Sequence, residues 1–405
     1  MHRILINIHY MELGGAERAL LGLLDALDTS RVQVDLLINQ HTGEFMPLIP
    51  QKVNVLPEMR GYNAIERPMR AVAREGQWRV VLARLLARWQ HRRYHRSLPA
   101  QLQPLDSSVF QYVADAVTPS LPSLDHLGEY DLAISWLTPH NIVLEKVQAR
   151  KKIAWIHTDY STIHVNAEKE LKVWSRYDHI ASISPDCTRA FLTVFPSLAD
   201  KIIEIENILS PDFISRQSQA FDASREMPRR EGAIQLLTIG RYCHPKNFDN
   251  LPDICRRVVQ RGVDVQWYII GYGGNGDYIR RAIAEAGMEQ HVFILGKKAN
   301  PYPYIQACDI YVQPSRYEGK SVTVREAQVL CKPVIITAYP TANSQMQHGV
   351  DGIIVPLDNE GCAHGMVNAI THPEQLQTIT QYLHTHDYGN EHEVEKIYEL
   401  ITQPQ

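Results

Sequence analysis

Glu318 and Glu326 stand seven residues apart in the run Pro314-Ser315-Arg316-Tyr317-Glu318-Gly319-Lys320-Ser321-Val322-Thr323-Val324-Arg325-Glu326-Ala327. Glu318 precedes a glycine, which places it on a loop after the apolar run 310–313. Glu326 falls beside Val322, Ala327 and Val329, inside the helix that follows. A carboxylate buried beside a helix needs hydrogen-bond donors, because an unpaired buried charge is costly. Ribose hydroxyls would supply them, as they do for the acidic residue of dinucleotide folds; two surface glutamates is the plainer alternative. Arg241 and Lys246 lie on either side of Tyr242-Cys243-His244-Pro245, directly after the apolar run 234–239. Loops outside the carboxyl ends of strands are where α/β sheets hold ligands. Two cations beside a helix start suit a diphosphate, whereas a solvated basic loop needs no ligand at all.

Two glycine-rich turns carry weaker signals. Gly14-Gly15-Ala16-Glu17 follows the first apolar run and opens a helical pattern, so its backbone could approach an anion at a helix N-terminus; a tight turn reads equally from the same residues. Gly271-Tyr272-Gly273-Gly274-Asn275-Gly276 departs from the GxGxxG spacing and opens the second βα unit of its domain, so NAD is not expected. His91 and His95 have helical metal-ligand spacing but sit among arginines, which would repel an ion, and no metal site is expected there. The six cysteines show no CxxC pair and read as buried, reduced thiols.

The elements that must position these residues follow from the hydrophobic pattern. Short apolar runs at 3–8, 34–39, 53–57, 130–136, 152–157, 179–184 and 201–206 alternate with helical stretches such as 15–28 and 163–176. Continuous runs such as Val34-Asp35-Leu36-Leu37-Ile38 suit strands covered on both faces, as in a parallel sheet. The pattern lapses over the polar stretch 208–232, which reads as a linker. It then resumes with strands at 234–240, 265–271, 292–295, 310–313, 333–337 and 352–355. The expected fold is α/β, with two doubly wound domains, 1–207 and 208–385. A C-terminal helix follows within 386–405 and could pack back on the first domain.

Taken in order, these motifs resemble those of glycosyltransferases with the two-Rossmann GT-B fold, specifically the retaining family 4, over nearly the whole chain. The segment 318–326 is similar to that family's E-x7-E signature, and Gly14-Gly15-Ala16-Glu17 to its N-terminal glycine loop. Trp155-Ile156-His157-Thr158-Asp159 resembles its histidine motif, and Gly240-Arg241 with Lys246 its donor diphosphate site. Ile183-Ser184, Ile205-Glu206-Asn207, Lys332-Pro333-Val334-Ile335 and Asp351-Gly352-Ile353-Ile354-Val355 resemble its structural segments. The resemblance implies two Rossmann-like domains facing a cleft. It implies that Glu326 binds the donor ribose and that Glu318 lies beside the donor sugar. Arg241 and Lys246 would neutralise the diphosphate, Gly14 and Gly15 would offer backbone N–H groups to it, and His157 would face the sugar. Gly319, Lys320 and Ser321 would touch the donor, though Lys320-Ser321 departs from the aromatic or small residue common after the Glu-Gly pair, which leaves the sugar open. No Asp-x-Asp stands where it could hold Mg²⁺, so the transfer is expected to need neither metal nor cofactor, with a UDP- or GDP-linked sugar as substrate. The implied acceptor is a glycan or lipid-linked glycan of a bacterial surface polysaccharide, such as capsule or lipopolysaccharide. A nucleotide-sugar epimerase on the same fold and a non-catalytic sugar-nucleotide binding protein are the competing readings.

The 405 residues fit two cores of ordinary size, and 44% hydrophobic with 21% charged residues is ordinary for a globular protein. A net charge of -4 gives no general affinity for polyanions, so nucleic acid is not an expected partner. The N-terminal apolar run is too short for a signal peptide, and no run of about 20 apolar residues could span a bilayer; a cytoplasmic location is expected. Residues 66–96 are the anomaly. Arg67, Arg70, Arg74, Arg79, Arg84, Arg88, Arg92, Arg93 and Arg96 fall there, while Trp78, Leu82, Leu85 and Trp89 recur at helical spacing. Such a basic amphipathic helix is expected to rest on the anionic inner face of the cytoplasmic membrane, with Arg74, Arg84, Arg88 and Arg92 reaching lipid phosphates. A helix packed on its own domain is the alternative.

Overall fold

The structure, a computed structural model, describes residues 1–403. The chain divides into two compact units, Met1–Ile208 with Asn390–Gln405, and Leu209–Gly389.

The first unit holds strands β1 (His2–Ile8), β2 (Val32–Ile38), β3 (Asn54–Val55), β4 (Tyr130–Ser135), β5 (Ala149–Ile156), β6 (His179–Ser182) and β7 (Ile202–Glu204). They pair in parallel in the order β3-β2-β1-β4-β5-β6-β7. Successive residues Ile4, Leu5 and Ile6 are all buried, so both faces of the sheet are covered, which is why the strands read as continuous apolar runs. The helices are α1 (Gly15–Ala26), α2 (Met69–Arg74), α3 (Trp78–Ser97), α4 (Val109–Val117), α5 (Asn141–Lys146), α6 (Ala167–Trp174) and α7 (Pro185–Val194).

The second unit repeats the plan. Strands β8 (Ile234–Ile239), β9 (Val265–Ile270), β10 (Val292–Gly296), β11 (Ile310–Gln313), β12 (Val334–Thr337) and β13 (Ile353–Val355) pair in parallel in the order β10-β9-β8-β11-β12-β13. Its helices are α8 (Pro211–Ser218), α9 (Leu251–Gln260), α10 (Gly276–Ala286), α11 (Tyr302–Ala307), α12 (Val322–Val329), α13 (Ala342–Gln345), α14 (Asn359–Thr371) and α15 (Pro373–Thr385). The chain then rejoins the first unit through α16 (Val394–Thr402). There the Tyr398 hydroxyl accepts from the Asp28 amide at 2.7 Å. The buried Lys151 ammonium donates to the carbonyls of Leu400 and Gln403 at 2.8 and 2.7 Å, satisfying acceptors that a helix end leaves open.

Three expectations need correction. The polar stretch 208–232 is not a bare linker: Ser210 caps α8, whose Phe213 and Ile214 are buried. The basic segment is two helices, because Gly76 breaks it at φ 75°, in the region that favours glycine. Among the thiols, Cys255, Cys308 and Cys362 are buried, but Cys187, Cys243 and Cys331 are partly exposed.

Candidate functional site

In the second sheet β9 lies on one side of β8 and β11 on the other. The chain therefore leaves the carboxyl ends of β8 and β11 in opposite directions, and this switch in strand order is the usual ligand position in an open α/β sheet. Arg241 and Lys246 are on the loop after β8, Glu318 to Ser321 on the loop after β11.

The loops are tied together by residues that motif reading passed over. Arg316 donates to both Asp249 carboxylate oxygens at 2.8 and 2.6 Å and to the His244 carbonyl at 2.7 Å. The Arg316 amide donates to the Pro245 carbonyl at 2.8 Å, and Asn247 Nδ2 to the Pro314 carbonyl at 2.8 Å. Asn247 takes a left-handed φ of 61°, a conformation Asn tolerates better than most residues, and this turns the β8 loop toward its neighbour. Across the seam the Lys246 ammonium donates to both Glu318 oxygens, at 2.6 and 2.9 Å. Glu318 is almost fully buried and also accepts from Ser315 Oγ at 2.6 Å and Gln313 Nε2 at 3.1 Å. It is thus a fixed carboxylate that aims the lysine. Arg241 is exposed and forms no ion pair among the described residues.

Farther along, Gly319 has open space where a side chain would begin, and Lys320 is exposed. The buried Ser321 caps α12 through its position alone; its amide donates to Gln345 Oε1 at 2.7 Å. Glu326 is wholly buried, one helical turn and more beyond, and accepts from the Tyr302 hydroxyl at 2.9 Å. A donor that the sequence suggested would come from ribose is thus already present in the protein.

The glycines at 271–276 have a packing reason. A Cβ on Gly271 would stand 2.0 Å from the Gly240 carbonyl oxygen, and Gly273, at φ 148°, lies against Tyr242. The Tyr242 amide donates to the Tyr272 carbonyl at 2.8 Å. This turn is a close seam between the β8 and β9 loops.

In the first unit the strand order reverses between β1 and β4. Gly14 caps α1 and Gly15 stands in open space. The side chain of the buried Glu17 folds back over the helix start, so close that a Cβ on Gly14 would meet its carboxylate at 1.9 Å. Burial raises the Glu17 carboxyl, and a hydrogen bond from its own amide works against that rise. The helix start expected to receive an external anion is thus covered by an internal carboxylate. His157 follows β5 with its ring centroid 4.6 Å from that of Trp136, whose indole N–H donates to the Ala16 carbonyl at 2.8 Å. Burial pushes the His157 imidazole down to about 3, so it is neutral at ordinary pH, and its shielded Nε2 has no partner.

The basic face of α3 is divided. Trp78 and Trp89 are 59% and 61% exposed, and Leu82, Leu85 and Leu86 are exposed with them. Arg79, Arg88, Arg92, Arg93 and Arg96 are also exposed. Arg84, expected on this outer face, is instead buried: its guanidinium donates to the carbonyls of Ala64 and Arg67 at 2.9 and 2.6 Å, and desolvation lowers its pKa. Periodicity alone could not separate Arg84 from Arg88, which lies one turn on. No helix among the described residues is long and apolar enough to cross a membrane.

Residues 221–383 match the family described as Glycosyl transferases group 1. The segment contains β8 to β13 and every candidate residue of the second unit. Among curated relatives, Alpha-D-kanosaminyltransferase of Streptomyces kanamyceticus is 24% identical over 161 residues, 39% of this chain and 42% of that protein. The N-acetylgalactosamine-N,N'-diacetylbacillosaminyl-diphospho-undecaprenol 4-alpha-N-acetylgalactosaminyltransferase of Campylobacter jejuni is 29% identical over 127 residues, 31% and 34% of the two chains. The matches thus span well under half of these relatives. Among solved structures, Anabaena Alr3699/HepE in complex with UDP and glucose superposes with a TM-score of 0.66 at 17% identity, covering 100% of both chains. The fold is the two-Rossmann GT-B architecture.

Proposed function

We propose that this chain is a retaining glycosyltransferase of family 4 type, moving a sugar from a nucleoside diphosphate sugar to a glycan acceptor, and that its second unit binds the donor. The observation that carries the reading is the Lys246–Glu318 pair beside Arg241 at the point where the second sheet reverses direction. A nucleoside diphosphate leaves with negative charge, and fixed cations stabilise it without reorganisation. An ammonium has three protons; Glu318 takes two, and the third is left for a phosphate oxygen. Arg241, exposed on the same loop, supplies a second cation. In this reading the glycosidic C–O bond to the diphosphate breaks while the acceptor oxygen bonds the same carbon from the same face. The acceptor proton passes to the departing phosphate oxygen. In this reading Arg241 and Lys246 supply the positive charge that a divalent ion supplies in other enzymes, and no catalytic metal is assigned.

A neutral His157 suits a hydrogen-bonding role toward the sugar rather than that of a titrating base. UDP is the first donor nucleotide to test, because the Anabaena structure holds it; GDP is the second. The undecaprenol diphosphate in the name of the Campylobacter relative favours a lipid-linked acceptor and surface-polysaccharide synthesis. The outward Trp78, Leu82, Leu85 and Trp89, rimmed by exposed arginines, fit a peripheral position on an anionic cytoplasmic membrane surface.

The experiment is a transfer assay with a panel of UDP- and GDP-sugars, run with and without lipid-linked acceptors. Sugar transfer that disappears in Arg241→Ala and Lys246→Ala supports the proposal. Donor consumption to an isomer without any acceptor would make the chain an epimerase, and tight donor binding with no turnover on any acceptor would make it a binding protein.

A further inference from the structure

The inner face of α3 runs through Val80, Arg84 and Ala87 to His91 and His95, and it meets the segment that leads into α4. Here the structure gathers a third group that no spacing along the helix could reveal. Asp106 Oδ2 lies 2.9 Å from His91 Nε2 and 2.7 Å from His95 Nδ1. The three atoms all fall within 4.8 Å of one another. The Asp106 side chain is wholly buried, while the His91 ring is 15% and the His95 ring 37% exposed, so the cluster is walled on one side and open on the other.

The surroundings are those of a built ligand set. Asp106 Oδ1 is held by the Ser108 amide at 3.0 Å and by Ser108 Oγ at 2.5 Å, which turns Oδ2 toward the histidines. Outer hydrogen bonds of this kind fix the orientation of metal-ligating carboxylates. Tyr112 stands edge-on to His91 with ring centroids 5.7 Å apart, and the Tyr94 hydroxyl is engaged with His164 Nε2 at 3.1 Å. The arginines that argued against an ion do not converge on the cluster. Arg84 is spent on backbone carbonyls, and Arg88, Arg92 and Arg96 are solvated.

We propose that His91, His95 and Asp106 form a binding site for a divalent transition metal of the zinc class, which staples the C-terminal half of α3 to the 103–109 segment. Two imidazoles and one carboxylate are a donor set that such ions favour over Mg²⁺ or Ca²⁺. Ions of this kind bind nitrogen at about 2.0–2.1 Å, which requires tetrahedral ligand atoms to lie roughly 3.3 Å apart. The His–Asp distances of 2.7 and 2.9 Å need only open by roughly half an ångström to meet this requirement. The fourth position faces the open side and takes water. The site lies in the first unit, apart from the diphosphate residues, and it does not depend on the proposed activity. Its consequence is mechanical: it holds the helix that carries the exposed tryptophans.

The test uses the untagged full-length chain after chelator treatment, titrated with Co²⁺ and separately with Zn²⁺. His91→Gln and His95→Gln each keep a side-chain amide that can donate to Asp106, so folding is preserved; equal urea midpoints in EDTA verify this. His364→Gln, at an exposed histidine elsewhere, is the control. The wild type and the control are expected to bind one Co²⁺ with tetrahedral visible absorption and to gain thermal stability with Zn²⁺. Each cluster variant is expected to bind about 10-fold or more weakly and to lose the thermal gain. No saturable uptake by the wild type, or equal uptake by wild type and both cluster variants, would overturn the proposal.

Discussion

Lys246 is held by one anion in the structure, Glu318, and is proposed to meet a second, the donor diphosphate. Its bond to Glu318 sets where the ammonium points, and the proposed diphosphate receives what remains of its donor capacity. Lys246→Ala should therefore lower the affinity for UDP by about 1.5–3 kcal/mol, the range for a hydrogen bond to a charged group, and hardly touch uridine. Calorimetric titration of both ligands decides it; equal losses for the two would assign Lys246 to folding. Glu326→Ala should show the opposite pattern and weaken uridine and UDP by the same factor, because ribose is common to both. Unchanged uridine binding in a folded variant would remove Glu326 from the ribose. His157 gives a pH prediction. Its folded value, lowered by burial to about 3, lies below the ordinary histidine value of about 6.5. Between those values the unfolded chain binds the extra proton, so this residue's contribution falls as pH falls below about 6.5. His157→Asn should lose less stability than the wild type from about pH 7 to about pH 5 in urea titrations. Parallel declines would show that His157 is protonated in the folded chain.

At the scale of elements, sheets were easier to read than helices, and the reason is burial. A strand covered on both faces is an unbroken apolar run, so each strand announces itself whatever its partner. Helices must be read by periodicity, and short ones hide. Phe213 and Ile214 are the only strong apolar signal in α8, and the polar residues around them mimic a linker. The division of α3 was half legible: its stripe of Trp78, Leu82, Leu85 and Trp89 does face outward, but the burial of Arg84 depended on carbonyls of Ala64 and Arg67 that no spacing marks. The same holds for the candidate site. Glu318, Glu326, Arg241 and Lys246 stood out by type, whereas the Arg316–Asp249 clamp, the Tyr302 partner of Glu326 and Asp106 beside His91 all bridge distant segments. Arg84 therefore has no part in the proposed membrane face. Replacing Arg88, Arg92 and Arg93 by Glu, with Arg84 retained, should abolish flotation with anionic vesicles at low salt and leave the urea midpoint unchanged. Each exposed arginine near such a surface is worth about 1 kcal/mol, so three reversals suffice. Equal flotation of wild type and variant would sink the membrane role.

For the whole molecule, two cores of similar design are proposed to carry separate tasks, and the predictions separate in the same way. A chelator should leave transfer to a soluble acceptor analogue intact, because the proposed mechanism draws its positive charge at the diphosphate from Arg241 and Lys246. It should lower the thermal midpoint if the staple on α3 is occupied. Loss of turnover with EDTA that Mg²⁺ alone restores would show that the two cations are insufficient. NMR of the new linkage should find the anomeric configuration of the donor preserved; inversion would demand a protein base and end the retaining assignment. Lys151 adds a point about time. The ribosome delivers every strand of the first sheet before it delivers α16, yet Lys151 finds its side-chain acceptors, among the described residues, at Leu400 and Gln403. The second unit is one continuous stretch and can close its sheet as soon as it has emerged, in keeping with domains folding as units during synthesis. The unit begun first is therefore the one finished last, and a nascent chain that stalls before Asn390 would carry a completed second unit behind an unlatched first.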